Sequence, residues 1–93
     1  MEKTILTQIS KIKNLIVSIL TYQKDRVTLN ERNYLNKAYE LMDDILCERI
    51  HHKMYTVEEY VDSILIEFNM VLRASKNSEV RKLSKILEEG IRW

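Results

Sequence analysis

The sequence predicts an all-α protein, an antiparallel up-down four-helix bundle that forms one domain over residues 1–93. Three observations favour this fold. The chain has no proline and one glycine, Gly90, although these residues usually mark loops and helix ends. Apolar residues recur at alternating spacings of three and four, as in an amphipathic helix. Three short polar stretches separate four such segments, and short connections suit antiparallel neighbours.

The first helix is predicted over about Thr4–Tyr22. Isoleucine occupies every position of a continuous seam in this segment: Ile5, Ile9, Ile12, Ile16 and Ile19. The second helix is predicted to follow Thr28 and to extend to about Arg49. Thr28 and Glu31 have the spacing of a capping box, in which each side chain bonds to a backbone N–H of the other residue. The expected inward positions are Leu35, Ala38, Met42, Ile45 and Leu46.

The third helix is predicted to begin with a second capping box, Thr56 and Glu59. Its expected inward positions are Val57, Val61, Ile64, Phe68 and Val71, with Tyr60, Leu65 and Leu72 on a second edge. The fourth helix is shorter and takes Asn77 or Ser78 as its N-cap. Its expected inward positions are Val80, Leu83, Ile86 and Leu87. Gly90 suits the left-handed position past the helix end, and Ile91 the apolar contact that follows it.

Composition excludes several classes of protein. The formal net charge of +1 argues against a strongly basic nucleic-acid binder, so nucleic acid is an unlikely partner. No apolar run is long enough to cross a bilayer, and the first residues are too polar for a signal peptide. The single cysteine, Cys47, cannot form an internal disulfide. We therefore expect a cytoplasmic protein without a transmembrane segment, either a monomer or a homodimer.

Charge is distributed unevenly along the sequence. The two middle helices are acidic, whereas the first helix and the C-terminal part of the chain are basic. The simplest interpretation is that solvated faces of opposite charge attract each other within the bundle. The alternative is a basic patch for phosphate or for an anionic membrane surface. That patch would consist of Lys76, Arg81, Lys82 and Lys85.

One cluster could hold a metal, and it consists of Cys47, Glu48, His51 and His52. Cys47 and His51 are four apart and could share a helix face, and Glu48 with His51 has the Glu-x-x-His spacing of di-iron bundles. Such a site needs two of these motifs, so a metal would require a dimer. The favoured interpretation is a pair of surface histidines at a helix end. We therefore expect no cofactor, and the absence of any sequence signature of a catalytic cleft predicts a protein that is not an enzyme.

The C-terminal part of the chain carries a resemblance to a known family. Arg81–Leu87, followed by Ile91, Arg92 and Trp93, resembles the basic leucine-containing helix and aromatic tail of class IIa bacteriocin immunity proteins of the enterocin A type. The helix order is similar over the whole chain. The tail is shorter here than is usual in that family, and the family is often more basic.

The resemblance implies a non-enzymatic cytoplasmic protein that protects the producing cell. Such a protein recognises a membrane-embedded sugar-transport receptor already engaged by the bacteriocin and blocks the pore. The residues that the resemblance assigns to partner binding are Lys82, Lys85, Ile91, Arg92 and Trp93. Trp93 lies beyond Gly90, where it either folds back onto the bundle or is offered to a partner.

Three other functions remain open from the residues alone. The first is a small phage-type or regulatory protein that binds and inhibits a host protein. The second is a helical nucleic-acid-associated regulator, dimeric through the isoleucine seam of the first helix. The third is a metal-bound dimer built around the cluster at Cys47.

Overall fold

Four helices in sequence make up most of the part of the chain that the computed structural model describes, residues 3–50 and 56–93. They are α1 (Lys3–Tyr22), α2 (Leu29–Leu46), α3 (Val57–Leu72) and α4 (Ser78–Glu89), with a short 3-10 turn at Lys24–Arg26. α1 packs mainly on α2 and α3 mainly on α4, while contacts of α2 with α3 and of α1 with α4 close the ring. The fold is the predicted antiparallel up-down bundle, 37 Å long and 24 by 20 Å across.

The core contains the predicted isoleucine seam of α1. All five isoleucines are buried, and Ile9 and Ile16 are completely inaccessible. On α2, the predicted positions from Leu35 to Ile45 are also buried, together with Leu41. The rings of Tyr34 and Phe68 meet edge to face with centroids 5.9 Å apart, which joins α2 to α3. The spacing of apolar residues therefore predicted the inner faces of α1 and α2.

The inner face of α3 is rotated from the predicted one. The buried residues are Val61, Leu65, Phe68 and Leu72. Val57, Ile64 and Val71, which were expected to face inward, are only half-buried. α3 packs more extensively on α4 than on α2, and the edge carrying Leu65 and Leu72 is the buried one.

The inner face of α4 also differs at one position. Ile86 was expected to face inward, but 41% of its surface is exposed, whereas Ser84 is buried. The Ser84 hydroxyl donates a hydrogen bond to the Oδ1 atom of Asn69 on α3. This hydrogen bond gives the buried Ser84 hydroxyl a partner at the interface between the helices.

The predicted N-caps are present at α2, α3 and α4. Thr28 accepts a hydrogen bond from the backbone N–H of Glu31, and Thr56 accepts one from that of Glu59. Only this half of each capping box forms within the described residues. The Glu31 carboxylate instead accepts a hydrogen bond from the Ser75 hydroxyl, which lies 44 residues later in the chain.

α2 ends at Leu46, three residues before the predicted end at Arg49. Glu48 takes a left-handed conformation with φ 53°. The N–H of Arg49 donates to the carbonyl of Asp44 at 2.9 Å, and the N–H of Glu48 donates to that of Ile45 at 3.1 Å. These two bonds form a Schellman motif, which usually requires glycine at the position of Glu48. The helix therefore ends without the glycine that would have indicated its end in the sequence.

Candidate functional site

The tail segment, Ile91–Trp93, is folded back against the bundle. Gly90 follows α4 with φ 76° and ψ 179°, a conformation that is essentially restricted to glycine. The conformation differs from the predicted left-handed one, because φ is positive as expected but ψ is extended. The next residue, Ile91, is nevertheless only 6% exposed within the core. The apolar contact predicted after Gly90 is therefore present.

A single glutamine side chain holds the backbone of Arg92. The Gln8 amide nitrogen donates to the Arg92 carbonyl at 3.2 Å, and the Arg92 N–H donates to the Gln8 side-chain oxygen at 2.9 Å. Both backbone groups of Arg92 are thereby satisfied by α1, while the residue itself is exposed to solvent. We call this pair of hydrogen bonds the Gln8 clamp.

Trp93 is held by α3. Its indole N–H donates to the Oδ1 atom of Asp62 at 3.2 Å, and the half-buried ring packs against the core. Of the two arrangements left open by the sequence, Trp93 adopts the one in which it folds back onto the bundle. The tail segment therefore contacts both α1 and α3.

The remaining predicted partner-binding residues lie on α4. Lys82 and Lys85 are both exposed, and the Lys82 amine is 3.4 Å from the carboxylate of Glu79. Three of the five residues assigned by resemblance, Lys82, Lys85 and Arg92, are thus available to solvent. Ile91 is buried, so it supports the tail from within the core.

The proposed metal cluster is interrupted by the end of α2. Cys47 is exposed and follows the last residue of the helix, and Glu48 takes the left-handed conformation. His51 and His52 lie outside the described residues. Because α2 stops at Leu46, Cys47 follows the last residue of the helix as its C-cap. Within residues 3–50 and 56–93, no group of three or more potential ligands is arranged to hold a metal ion.

An ion-pair network joins α1 to the end of α2. The Asp43 carboxylate lies 2.9 Å from the Lys13 amine and 2.5 Å from the Arg49 guanidinium, which also reaches Asp44 at 3.0 Å. Hydrogen bonds from Lys13 and Arg49 lower the pKa of Asp43, and the bond to Asp43 raises the pKa of Lys13. This network takes the place of the apolar contact that usually accompanies a Schellman motif.

The opposite end of the bundle is tied together by Asn77. Its side-chain oxygen caps α4 at the N–H groups of Glu79 and Val80, at 2.9 and 3.3 Å. Its amide nitrogen donates to the Gln23 side chain and to the Arg26 carbonyl, at 3.2 and 3.4 Å. One buried side chain therefore joins the connection between α1 and α2 to the connection between α3 and α4.

Charge is segregated along the length of the bundle. We call the end formed by residues 22–32 and 73–82 the basic end, and its cations are Lys24, Arg26, Arg32, Arg73, Lys76, Arg81 and Lys82. The other end carries acidic residues from three helices and from the second position after α2: Asp43, Asp44, Glu48, Glu58, Glu59, Asp62, Glu88 and Glu89. Lys3, Arg49 and Arg92 lie at this end too. Counting charge helix by helix conceals this arrangement, because α2 and α4 each carry cations toward the basic end and carboxylates toward the other end. The lysines of α1, in contrast, lie away from the basic end.

Several residues of these sites carry no signal in the sequence. Gln8 and Asp62 bind the tail from positions 84 and 31 residues away, and each could equally be an ordinary solvated side chain on its helix.

Within the described helices, none is both long and apolar enough to cross a bilayer. Comparison with protein-family models, curated proteins and solved structures finds no match to this chain. Any functional assignment therefore depends on the residues and their geometry.

Proposed function

We propose that this chain is a non-enzymatic protein-binding module of the cytoplasm. Its recognition surface is the C-terminal corner, which we define as the tail segment Ile91–Trp93 together with Lys82 and Lys85 on α4. The observation that carries the proposal is the Gln8 clamp. Its two hydrogen bonds, 2.9 and 3.2 Å long, hold the backbone of Arg92 in place, while Arg92 itself stays exposed to solvent.

Fixing the tail before a partner arrives favours binding. A flexible segment loses conformational freedom when it is ordered in a complex, and that loss reduces affinity. Here the buried Ile91, the Gln8 clamp and the Trp93–Asp62 hydrogen bond order the segment in the free protein. Arginine and tryptophan are also the side chains most enriched among residues that dominate binding energy.

Bacteriocin immunity is the most concrete form of this function. It is supported by the resemblance of Arg81–Leu87 and the tail to immunity proteins and by the exposure of Lys82, Lys85 and Arg92. The partner would be a membrane sugar-transport receptor engaged by a class IIa bacteriocin and approached from the cytoplasm. The exposed cations would bind acidic groups on that partner, and Trp93 would supply apolar contact area.

The test is protection of a sensitive cell. The chain is expressed in a Gram-positive strain that is killed by class IIa bacteriocins, and growth is measured with and without bacteriocin. We expect the wild-type chain to protect, Arg92→Glu to abolish protection, and Gln8→Ala to weaken it by releasing the tail. Lys11→Glu makes the same charge change on an exposed lysine of α1 and serves as the matched control.

A parallel pull-down of the tagged protein identifies the partner. Capture of a membrane sugar transporter only in the presence of bacteriocin, and its loss in Arg92→Glu, would support immunity. If the wild-type chain gives no protection and captures a soluble replication, transcription or signalling protein instead, the immunity function is wrong and the chain is a helical inhibitor. Full protection by Arg92→Glu would refute the assignment of the corner.

A further inference from the structure

The basic end of the bundle presents four exposed cations on two neighbouring connections. Lys24 and Arg26 lie between α1 and α2, and Arg73 and Lys76 lie between α3 and α4. Arg26 and Lys76 line the same two surface grooves, so the connections bring their charges together, and Asp25 and Glu31 also line one of these grooves. Within the described part of the chain, none of the four side chains is in an ion pair. Their charge is therefore available to an external anion.

Two large apolar side chains are exposed at the same end. Tyr22, the last residue of α1, is 79% exposed, and Leu29, the first residue of α2, is 69% exposed. They flank Lys24 and Arg26 in the sequence. Tyrosine and leucine beside lysine and arginine are the side chains that proteins use at the boundary between lipid headgroups and acyl chains.

The Asn77 hydrogen bonds hold the two connections as one unit. Because Asn77 binds both Gln23 and the Arg26 carbonyl, the cations on the two connections are not on independently moving loops. The Ser75 hydroxyl adds a bond to Glu31 at 2.5 Å across the same boundary. A partner therefore meets a preformed cationic surface and need not order it.

The acidic residues at the opposite end give the bundle a direction. Cations exceed carboxylates at the basic end, whereas carboxylates exceed cations in the rest of the described chain, so a negative surface attracts the basic end more strongly and orients the molecule as it approaches. Within about one Debye length of an anionic bilayer, each lysine or arginine is attracted independently of any specific sequence or shape in the partner. A planar bilayer can contact a protruding end that carries several cations and two exposed apolar side chains.

We propose that the basic end of this bundle binds the surface of a membrane containing anionic lipids. Arg26, Lys76, Lys24 and Arg73 bind headgroup phosphates, and Tyr22 and Leu29 enter the headgroup region. Binding is peripheral and end-on. A nucleic acid is less well matched, because the acidic half of the bundle repels an extended polyanion that reaches past the end.

This attachment goes beyond the proposed function and uses different residues. It needs neither the tail segment nor Lys85, so vesicle binding and protection from bacteriocin can fail separately. An end-on bundle 37 Å long would hold the tail segment of the C-terminal corner away from the lipid, because the tail follows the opposite end of α4. The corner would then face cytoplasmic segments of an embedded protein.

The test is flotation of the purified protein with vesicles rich in phosphatidylglycerol, compared with vesicles of phosphatidylcholine alone. The variant is Arg26→Glu with Lys76→Glu. The matched control is Lys3→Glu with Lys11→Glu, which makes the same change in net charge on exposed lysines in the opposite half of α1. A third variant, Tyr22→Ser with Leu29→Ser, removes the apolar side chains, and circular dichroism checks that every variant is folded.

We expect flotation with the anionic vesicles only, and its loss at about 1 M salt, where the screening length is about 3 Å. Each cation near such a surface contributes about fivefold to partitioning, so reversing two should lower it by at least about 25-fold. The control pair should remain within a few-fold of wild type, and the serine pair should bind more weakly at every salt concentration. Failure of the wild-type protein to float with anionic vesicles, or an equal loss in the control pair, would overturn the proposal. Tighter binding to a nucleic acid than to these vesicles would also overturn it.

Discussion

The indole N–H of Trp93 lies 3.2 Å from the Oδ1 atom of Asp62, so the tail is joined to α3 at its second turn. Trp93 is the only tryptophan of the chain, and its fluorescence reports directly on whether the tail is docked. The fluorescence of Trp93 can therefore be used to follow its contact with Asp62.

Replacing Asp62 should change the fluorescence of Trp93. In Asp62→Ala the indole loses its acceptor, and we expect the emission maximum to move to longer wavelength with stronger quenching by acrylamide. The free energy of unfolding should fall by about 1 kcal/mol, the usual contribution of one hydrogen bond. Asp62→Asn retains an acceptor oxygen and should keep the emission near that of wild type. An unchanged spectrum in Asp62→Ala would show that the hydrogen bond does not hold the ring.

Asn77 has two separable roles, capping α4 and joining the two connections. We expect Asn77→Ala to lose both and to lower the free energy of unfolding by about 2 kcal/mol, at the upper end for an N-cap. Asn77→Asp keeps the capping oxygen but loses the donor to the Arg26 carbonyl, so its loss should be smaller. Urea unfolding measures both. Equal losses in the two variants would mean that the cap contributes nothing.

Two residues with positive φ should respond in opposite directions. Gly90 has φ 76°, and no atom lies within 4 Å of an added Cβ, so Gly90→Ala acts through backbone strain alone. We expect it to destabilise the fold by about 1–3 kcal/mol. Glu48 has φ 53°, a conformation that costs a non-glycine residue about 1–2 kcal/mol. Glu48→Gly should therefore raise the midpoint of thermal unfolding, and a lowered midpoint would contradict the Schellman geometry.

The Asp43 network should give the fold a pH dependence at both extremes. The pKa of Asp43 is lowered by hydrogen bonds from Lys13 and Arg49, so the stability it confers is complete above the ordinary carboxylate pKa and is lost as pH falls through the lowered value. The pKa of Lys13 is raised, so its contribution is complete below the ordinary lysine pKa and is lost at higher pH.

We therefore expect Asp43→Asn to flatten the stability profile both below about pH 4 and above about pH 10, the ordinary pKa values of the two groups. Urea unfolding across the pH range measures the profile. Asp25→Asn removes an exposed carboxylate at the basic end and is the control. A profile for Asp43→Asn that parallels wild type would show that the network does not stabilise the fold.

The inner face of α4 can be checked with two truncations. Leu83 is fully buried, so Leu83→Ala should lower the free energy of unfolding by about 2–5 kcal/mol. Ile86 is 41% exposed, and Ile86→Ala should cost less than about 1 kcal/mol. The sequence pattern alone would assign the two residues similar effects. If chemical denaturation showed similar losses of unfolding free energy in the two variants, Ile86 would face inward as the spacing predicts.

The fold could be predicted from local signals. The isoleucines of α1 recur at helical spacing, and Thr28, Thr56 and Asn77 mark helix starts through hydrogen bonds to residues two or three positions away. Such contacts depend only on neighbours in the chain. The inner faces of α3 and α4 were predicted less well, because contacts such as the Asn69–Ser84 hydrogen bond depend on packing between helices.

The candidate site could be predicted only in part. Resemblance pointed to the tail, but the partners that hold it, Gln8 and Asp62, are brought to it by the closed ring of helices. The end of α2 was missed for a different reason: Glu48 takes a conformation for which the sequence rule expects glycine. Segregation of charge toward the two ends also became visible only once the helices were antiparallel.

The isoleucine seam of α1 has a consequence for the uniqueness of the core. In a helix, the branched side chain of isoleucine is confined to one χ1 rotamer in about 90% of cases. The five isoleucines of α1 therefore have little rotamer freedom to lose when the other helices pack on them. Across the core, Met42 is unbranched and adaptable. The α1 wall of the core is therefore built from side chains with few alternative rotamers, which favours a single packing arrangement.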